Sequence, residues 1–273
     1  MAHNKKNLKR KFSQVFLEDG SVLARIADSI NASERDGVIE IGPGKGALTK
    51  YLVKKAGKVL SIEIDPEMIE KVNEKLSDVE NLKVVNEDIL KSDLLKYIEE
   101  FKGFDKLWLV GNLPYDIGTA IISKSIEHHT DFTAMVFMLQ KEVIDRLLAK
   151  PGNKEFGYIS IVTDYFFSKR RIMNVSPNSF RPRPAVQSAV IELVPRETGH
   201  SREFEKKMIE LFKASFSQKR KTILNNLSNN MYSEGNKDRL REILSASGIE
   251  PERRAEAISL TEFIHLMEKI DSI

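Results

Sequence analysis

The sequence predicts an α/β protein, in which a mostly parallel sheet carries helices on both faces, followed by a small all-α domain. Two observations support this fold class. Between residue 37 and about residue 139, short apolar runs alternate with amphipathic segments of helical period, and strands that alternate with helices in this way form βαβ units. Beyond residue 199 only helical periodicity remains. We therefore predict two domains, residues 1–198 and residues 199–273.

Strands are predicted at short apolar runs that are partly β-branched. Five of them lie within the alternating pattern, and two more are separated by a Pro-rich segment at 177–184, which fits a hairpin at the sheet edge. The predicted strands are 38–41, 59–64, 82–85, 107–110, 135–139, 171–175 and 188–194.

Helices are predicted where apolar residues recur three or four positions apart. One of them begins just after Asp65 and Pro66, a pair typical of a helix start, and the last is expected to have Thr261 as its N-cap. The predicted helices cover about residues 48–53, 68–76, 204–216, 223–227, 240–244 and 260–270.

The composition excludes several classes of protein. The chain has no Cys among its 273 residues, which excludes disulfide scaffolds, Cys-based zinc sites and thiol nucleophiles. No apolar run approaches the roughly 18 residues of a membrane span, and the N-terminus lacks the apolar core of a signal peptide, so we expect a cytoplasmic protein. No His, Asp and Glu cluster has metal-ligand spacing. We expect no metal, and we interpret His128 and His129 as a helix end.

Positive charge is concentrated in three windows, residues 1–11, 169–183 and 213–221, which contain no Asp or Glu. Because the net charge of the chain is only +3, the remainder of the chain is net acidic. Basic windows without acids suit a phosphate backbone, but three separate solvated faces would have the same composition. Charge alone therefore leaves nucleic-acid binding open.

A glycine-rich turn, Gly42-Pro-Gly44-Lys-Gly46, follows the first predicted strand and opens the first helix. Glycines here permit a tight turn and let a ligand approach the backbone. Glu63 ends the second strand, where an acid can accept hydrogen bonds from ribose hydroxyls, and Asp88 follows the third, where a carboxylate can bind an adenine amine. These positions suit an adenosyl ligand, either NAD or S-adenosylmethionine (SAM). The spacing of Gly46 departs from the dinucleotide pattern.

The segment Asn112-Leu113-Pro114-Tyr115 follows the fourth strand at the same sheet edge. An adenine amine is a poor nucleophile because its lone pair is delocalised into the ring. Two acceptors, the Asn112 side-chain oxygen and the Leu113 carbonyl, would draw the nitrogen toward tetrahedral geometry. Pro114 stiffens the loop, and Tyr115 can stack on the base. The structural alternative is an Asn-x-Pro turn with a packed Tyr.

Phe180 lies in a stiff, basic, Pro-rich loop. An aromatic ring on such a loop can clamp the other face of an extruded base. It can equally anchor the loop in the core, and both interpretations are open.

With these motifs the chain resembles the KsgA-type ribosomal small-subunit adenine dimethyltransferases. The resemblance runs from about residue 12 to residue 264. The matching stretches are 12–17 (FSQVFL), 40–46 (EIGPGKG), 112–115 (NLPY), 137–143 (FMLQKEV), 180–184 (FRPRP) with 188–190 (SAV), 216–222 (FSQKRKT) and 253–256 (RRAE).

The resemblance implies a Rossmann-like SAM-dependent methyltransferase sheet and a helical rRNA-binding domain. It implies that two adjacent adenines near the 3′ end of 16S rRNA, in the 30S subunit or its precursor, each receive two methyl groups on N6, with SAM as donor. A further role in ribosome assembly can coexist with this activity. We expect a monomer.

The resemblance also implies roles for individual residues. The SAM contacts would come from Gln14, Val15, Leu17, Gly42, Gly44, Glu63, Ile64, Asp88, Ile89 and Asn112. The target base would be held by Asn112, Leu113, Pro114, Tyr115 and Phe180. The residues facing rRNA would be Arg181, Arg183, Lys219, Arg220 and Lys221.

The chain departs from the family pattern at two places. Val15 stands where the family usually has Asn, which removes a side-chain contact to SAM. The residues after Tyr115 read Asp116-Ile-Gly118-Thr-Ala120, whereas the family usually has Asn-Ile-Ser/Ala-Thr/Ser-Pro. The added charge and backbone freedom bear on the shape of the base pocket and on addition of a second methyl group.

Three other functions fit parts of the pattern. An Erm-type methyltransferase of large-subunit rRNA shares the glycine loop and a similar Asn-x-Pro-Tyr, but 137–143 and 253–256 favour the small-subunit enzyme. A ribosome-assembly or nucleic-acid-binding factor with catalysis lost or secondary would be supported by SAM binding with no methyl transfer to any ribosomal particle, and the intact segment from Asn112 to Tyr115 argues against lost catalysis. A DNA adenine methyltransferase would need a base-reading domain, and none is apparent.

Overall fold

The computed structural model describes residues 15–230 and 237–272. These residues form two compact units. The first comprises residues up to Ile144 together with Ser168–Pro195, and the second comprises Asp145–Phe167 together with the residues from Arg196 onward. The sequence-based division placed residues 145–167 in the first domain, whereas in the structure they group with the C-terminal helices. The functional boundary at 198/199 stays a prediction.

Nine strands lie within the described residues. Seven of them form one sheet in the order β4-β3-β2-β5-β6-β9-β7, and β1 and β8 form a separate two-stranded sheet. The strands are β1 Phe16–Leu17, β2 Gly37–Ile41, β3 Lys58–Glu63, β4 Leu82–Asn86, β5 Leu107–Asn112, β6 Ala134–Gln140, β7 Phe167–Val175, β8 Phe180–Arg181 and β9 Ser188–Pro195.

The large sheet confirms the predicted fold class. Strands β2 to β6 are parallel, and β9 runs antiparallel to β6. All residues of β2 are buried, as expected of a strand that is covered on both faces. From β2 the chain proceeds outward through β3 and β4 and then returns to place β5 on the other side of β2. Ligands bind at such a switch point, outside the carboxyl ends of the strands.

The first unit contains short helices between these strands. Asp19 and Asp65 accept hydrogen bonds from backbone amides at the starts of two of them, and the second confirms the predicted helix start. The helices are α1 Gly20–Ser29, α2 Thr49–Leu52, α3 Pro66–Lys75, α4 Leu94–Ile98 and α5 Gly118–Ser125, followed by α6 Lys141–Leu147, which spans the division at Ile144. Short 3-10 turns cover Glu99–Phe101, Ile126–Asp131 and Pro177–Ser179.

The second unit is helical, as predicted. Its core contains edge-to-face aromatic pairs, with Phe212 against Phe263 at 5.4 Å and against Tyr165 at 6.0 Å between ring centroids. Its helices are α7 Tyr158–Phe166, α8 Arg202–Ser215, α9 Ile223–Asn230, α10 Lys237–Ala246 and α11 Leu260–Asp271, with a 3-10 turn at Ala255–Ala257.

The prediction of Thr261 as the N-cap of the last helix is wrong. The N-cap is Ser259, whose side chain accepts a hydrogen bond from the Glu262 amide, while the Glu262 carboxylate accepts one from the Ser259 amide at 2.7 Å. This reciprocal capping box satisfies two amides that the helix itself leaves unpaired, so α11 begins one residue before Thr261.

The small sheet of β1 and β8 was not predicted. Leu17 lies opposite Phe180, and Phe16 lies opposite Arg181, in antiparallel register. Two-residue strands have no periodicity that a sequence pattern can reveal.

No helix among residues 15–230 and 237–272 combines the length and apolar character that crossing a bilayer requires.

Candidate active site

A cleft of about 670 Å³ opens at the carboxyl ends of β2 to β5. Three segments that are far apart in sequence border it, namely the residues around β1, the glycine loop after β2 and the segment after β5. Of the predicted site residues, the cleft is lined by Val15, Leu17, Gly42, Gly44, Glu63, Ile64, Asp88, Ile89, Asn112, Leu113, Pro114 and Tyr115. Gln14 and the basic window 1–11 lie outside the described residues.

The glycine loop requires its glycines. Gly42, Gly44 and Gly46 all have positive φ, at 67°, 54° and 75°, a backbone conformation that other residues adopt only with strain. A Cβ on Gly44 would also lie 3.2 Å from the Phe16 ring. The loop therefore brings its backbone close to β1 and to the floor of the cleft.

Glu63 is held by backbone amides at the end of β3. Its Oε1 accepts hydrogen bonds from the amides of Ile64 at 2.8 Å and Asp65 at 3.0 Å, and its Oε2 accepts one from Gly44 at 3.1 Å. Burial raises the pKa of the Glu63 carboxyl, and the amide hydrogen bonds oppose that rise. The carboxylate is therefore fixed in direction, with further acceptor capacity for ribose hydroxyls.

Glu40 is a buried acid that the sequence analysis left without a role. It is 1% exposed, and its Oε2 accepts hydrogen bonds from the Thr49 and Ser61 hydroxyls, both at 2.7 Å. Burial raises the pKa of Glu40 to about 7. The side chain thus joins β2 to the start of α2 and to β3, and Glu40 is among the residues that line the cleft. Its neighbours are distant in sequence, so only the fold reveals the network.

Asp88 and two exposed apolar side chains form the next part of the cleft. The Asp88 Oδ1 accepts a hydrogen bond from the Leu90 amide at 3.0 Å. Ile64 is 39% exposed and Leu90 is 36% exposed, and both line the cleft. Exposed apolar walls beside a carboxylate suit the faces and the amine of an adenine ring.

The segment after β5 carries two acceptors that have no partner among the residues that the structure describes. Among the described residues, neither the Asn112 side chain nor the Leu113 carbonyl has a hydrogen-bond partner. The loop itself is well anchored, because the Leu113 amide donates to the Met138 carbonyl at 3.1 Å and the Gly118 amide donates to the Pro114 carbonyl at 3.0 Å. The arrangement leaves two oxygen acceptors for a ligand in the cleft that the glycine loop also lines.

Tyr115 is positioned by a residue that the sequence analysis did not select. Its hydroxyl lies 2.8 Å from the Ser188 Oγ, and Ser188 is fully buried at the start of β9. The sequence contained one signal, since Ser188 lies within the SAV stretch of the resemblance. No pattern paired it with Tyr115, which is 73 positions away.

Phe180 does not line the cleft, although its strand partner Leu17 does. Phe180 is 1% exposed and belongs to the apolar core of the first unit. The carbonyl of the neighbouring Ser179 accepts a hydrogen bond from the Glu18 amide at 2.9 Å, and the Ser179 hydroxyl donates one to the Asp19 carboxylate at 2.9 Å. The loop is thus anchored to the β1 segment. Stacking of Phe180 on a base stays a prediction, and it requires the ring to leave the core.

The departures from the family pattern have different surroundings. Val15 and Asp116 line the cleft, so both contribute to its surface. Gly118 is buried, and a Cβ there would lie 2.2 Å from the Leu139 Cδ2. A larger residue at position 118 would therefore require the Leu139 side chain to shift. Ala120 lies within α5.

The residues predicted to face RNA are all exposed. Arg181 and Arg183 lie in the first unit, at and after β8, whereas Lys219, Arg220 and Lys221 lie in the second unit between α8 and α9. Neither group lines the cleft.

Within the described ranges, no group of three His, Asp or Glu residues has a geometry that could hold a metal ion.

A mostly parallel sheet with a cleft at its switch point, a glycine loop, an amide-held Glu63 and two acceptors without a partner among the described residues define the class of Rossmann-like, SAM-dependent methyltransferases. The chain belongs within that class to the family described as ribosomal RNA adenine dimethylase, whose model matches residues 5–271. It is accordingly an rRNA adenine methyltransferase that uses SAM as methyl donor.

Individual relatives agree with this assignment. Ribosomal RNA small subunit methyltransferase A of Geobacillus sp. (strain WCH70) is 39% identical over 270 residues, covering 98% of this chain and 93% of that protein. The protein of the same name from Anoxybacillus flavithermus is 41% identical over 267 residues, covering 97% and 90%.

Solved structures extend the likeness to three dimensions. The crystal structure of a dimethyladenosine transferase from Plasmodium falciparum has a TM-score of 0.79 at 27% identity, covering 94% of this chain and 98% of that chain. The 23S rRNA methyltransferase ErmE has a TM-score of 0.68 at 25% identity, covering 94% and 99%.

Proposed function

We propose that this protein dimethylates N6 of two adjacent adenosines near the 3′ end of 16S rRNA, in the small ribosomal subunit or its precursor. The observation that carries the proposal is the pair of unused acceptors, the Asn112 side-chain oxygen and the Leu113 carbonyl, at the end of β5. The names of the relatives that match almost the whole chain support the small subunit as substrate.

The cleft fits SAM. Glu63 would accept hydrogen bonds from the ribose hydroxyls, Asp88 from the adenine amine, and Ile64 with Ile89 would contact the ring faces. The glycine loop would carry the remainder of the cofactor against its backbone, with Val15 and Leu17 covering it. When bound there, SAM supplies an electrophilic methyl group on a positively charged sulfur.

The residues after β5 would act on the adenine amine. Asn112 and Leu113 would each accept one N–H of the amine, which localises the lone pair on nitrogen and points it toward the cofactor. Tyr115 would stack on the base while its hydroxyl is held by Ser188. No side chain is required as a general base in this arrangement, because the proton can leave after the new bond has formed.

The test is methyl transfer from labelled SAM to undermethylated small subunits, beside large subunits, naked RNA and DNA, with mass spectrometry of the digested nucleosides. We expect dimethyladenosine from small subunits alone. Label in large subunits would replace the proposal with the Erm-type activity, which the ErmE likeness keeps as the second candidate. SAM binding without transfer to any particle would indicate the assembly-factor role.

We further infer that the second unit binds rRNA through Lys219, Arg220 and Lys221, that Arg181 and Arg183 contribute from the first unit, and that the protein acts as a monomer in the cytoplasm. The exposure of all five cations supports the RNA contacts. Light scattering during gel filtration measures the molar mass, and the mass of a dimer would contradict the proposed monomer. Fractionation of cells tests the location.

A further inference from the structure

The second unit contains a cavity of about 270 Å³ that is distinct from the methyl-transfer cleft. It has an aromatic part formed by Phe156, Tyr158 and Phe216, and a polar end at Ser215 and Asn226. The cations at its rim are Arg146, Lys154, Lys219 and Lys221. Nothing in the methyl-transfer chemistry described above uses this cavity.

The aromatic part is held in place by its own packing. The Phe156 and Phe216 rings meet edge to face, with centroids 6.0 Å apart, and Phe216 also packs near Phe263 at 6.1 Å. Phe156 is 2% exposed, whereas Tyr158 and Phe216 are half-buried. Partly exposed aromatic rings on a rigid base are a surface on which a nucleobase can stack.

The polar end contains an unsatisfied buried group. Ser215 is fully buried, and its hydroxyl has no hydrogen-bond partner among the described residues. Asn226 is 2% exposed, and its Nδ2 donates to the carbonyls of Ser215 at 2.6 Å and Gln218 at 3.2 Å. Leaving a buried hydroxyl unpaired is costly. A polar ligand edge at this end of the cavity would remove that cost.

The rim is positively charged. Within the described part of the chain, none of Arg146, Lys154, Lys219 and Lys221 forms an ion pair, and the lining also contains Glu155 and Glu256. Positive charge is therefore in excess. Lys219 is held across the rim, since its Nζ donates to the Lys154 carbonyl at 2.9 Å. Unpaired ammonium and guanidinium groups beside an aromatic pocket suit a base that carries a phosphate.

We propose that this cavity receives one unstacked nucleotide of the small-subunit rRNA, with its base against Tyr158 and Phe216 and its phosphate at Lys154, Lys219 and Lys221. The size supports a single nucleotide, because about 270 Å³ lies below the range of pockets for larger ligands. The proposal rests on the proposed function, and it adds a second recognition point separate from the methylated adenosines.

The first experiment compares Lys154→Gln with Lys206→Gln in binding to undermethylated small subunits over a range of salt concentrations. Lys154 lies at the cavity, outside the basic 219–221 segment, whereas Lys206 is exposed on α8 away from the cavity. We expect Lys154→Gln to weaken binding about three- to tenfold and to lower the slope of log affinity against log salt by about 1. Equal behaviour of the two variants would overturn the phosphate assignment.

The second experiment tests whether one rRNA base lies against Tyr158. Tyr158→p-benzoylphenylalanine is irradiated in the complex with small subunits, beside the same substitution at Phe204, a half-buried aromatic on α8 that does not line the cavity. We expect reverse transcription to stop at one dominant nucleotide, other than the methylated adenosines, for position 158 only. Stops scattered over many nucleotides, or a pattern shared with position 204, would overturn the proposal.

Methyl transfer by the unaltered protein distinguishes a failure of the proposed function from a failure of the cavity proposal alone. If the unaltered protein transfers no methyl group to small subunits, both the proposed function and the cavity proposal fail. If it does transfer methyl groups and both variants behave like their controls, the cavity proposal alone fails. SAM affinity and melting temperature, measured for each variant, verify that the substitutions leave the fold and the cleft unchanged.

Discussion

At the scale of single residues, the cleft depends on acids whose surroundings differ. Glu63 is held by three backbone amides, whereas Glu40 is held by two hydroxyls in a fully buried position. A buried carboxylate with two neutral donors loses more hydration than those donors return. Glu40 therefore carries a stability cost whenever it is ionised, and that cost depends on pH.

Glu40→Gln is expected to abolish this dependence. Burial raises the pKa of Glu40 from its ordinary value of 4.5 to about 7, so the folded protein binds this proton more tightly than the unfolded chain does. Stability from Glu40 is then fully present below pH 4.5 and is lost as the pH rises toward 7. The loss is on the order of 3 kcal/mol.

Urea unfolding at a series of pH values checks this prediction. Glu40→Gln keeps the acceptor oxygen and cannot ionise, so its stability should match that of the parent in acid and exceed it above neutrality. Glu210→Gln, at an exposed position on α8, provides the control. A difference between parent and Glu40→Gln that stays constant with pH would contradict the argument.

Asn112→Ala is expected to lower the rate of methyl transfer about 100- to 1000-fold, the usual effect of removing one preorganised polar group from a transition state. The fold should persist, and SAM should still bind, because Glu63 and Asp88 remain. Single-turnover transfer to small subunits measures the rate. Asn73→Ala, at an exposed site on α3, is the matched control. Near-normal turnover of Asn112→Ala would contradict the role proposed for Asn112.

Ser188→Ala should slow methyl transfer about three- to tenfold by releasing the Tyr115 ring, the effect of one ordinary hydrogen bond. Tyr115→Phe removes the same bond from the other side. Combining the two substitutions should add nothing further if they act through this single contact. Steady-state kinetics of the four proteins measure the coupling, and fully additive losses would show that Ser188 acts in some other way.

At the scale of elements, loops and caps decide where each helix begins. The Ser259 and Glu262 capping box starts α11, and Ser259→Ala should lower the free energy of unfolding by about 1 kcal/mol. Thr261→Ala is the control, because Thr261 is exposed within the first turn of the helix. Chemical denaturation measures both, and an equal loss in the two variants would assign the cap to neither residue.

The predictability of each element follows from the range of its interactions. The strands β2, β3, β5 and β6 were predictable because burial on both faces leaves short, largely apolar runs, whereas β4 is only partly buried and was predictable from its Leu and Val residues. The parallel arrangement brings Glu63, Asp88 and Asn112 to one edge of the sheet. The pairing of Leu17 with Phe180 and the contact of Tyr115 with Ser188 were not predictable. Each joins residues that are distant in the chain, and no local periodicity records such contacts.

The position of Phe180 shows the same limit at a functional motif. Its aromatic character and its Pro-rich neighbours allowed both a base clamp and a core anchor. Burial decides where the ring lies, and burial depends on the β1 segment and on strands that surround it. The cavity at Phe156 and Ser215 was equally hidden, because its lining comes from segments between residues 146 and 256.

At the scale of the whole molecule, all described residues that line the cleft at the carboxyl ends of β2 to β5 belong to the first unit. Hydrogen exchange should therefore slow locally when SAM is saturating. We expect slower exchange at residues 42–46, 63–65 and 88–90 and no change in α8 and α9. At a SAM concentration of 100 times Kd, the folded state that binds SAM should be stabilised by about 2.7 kcal/mol. Mass spectrometry of the exchanged peptides checks this, and equal protection in both units would contradict a cofactor site confined to the first.

The contact of Ser179 with Asp19 spans 160 positions of the chain, and this has a consequence during synthesis. A nascent chain emerges from its N-terminus at about 5–20 residues per second. The β1 segment must then wait roughly 8 to 30 seconds for its partner strand to be translated. The residues of β1 line the cleft and pair with β8, so the growing polypeptide completes this side of the cleft only late in translation.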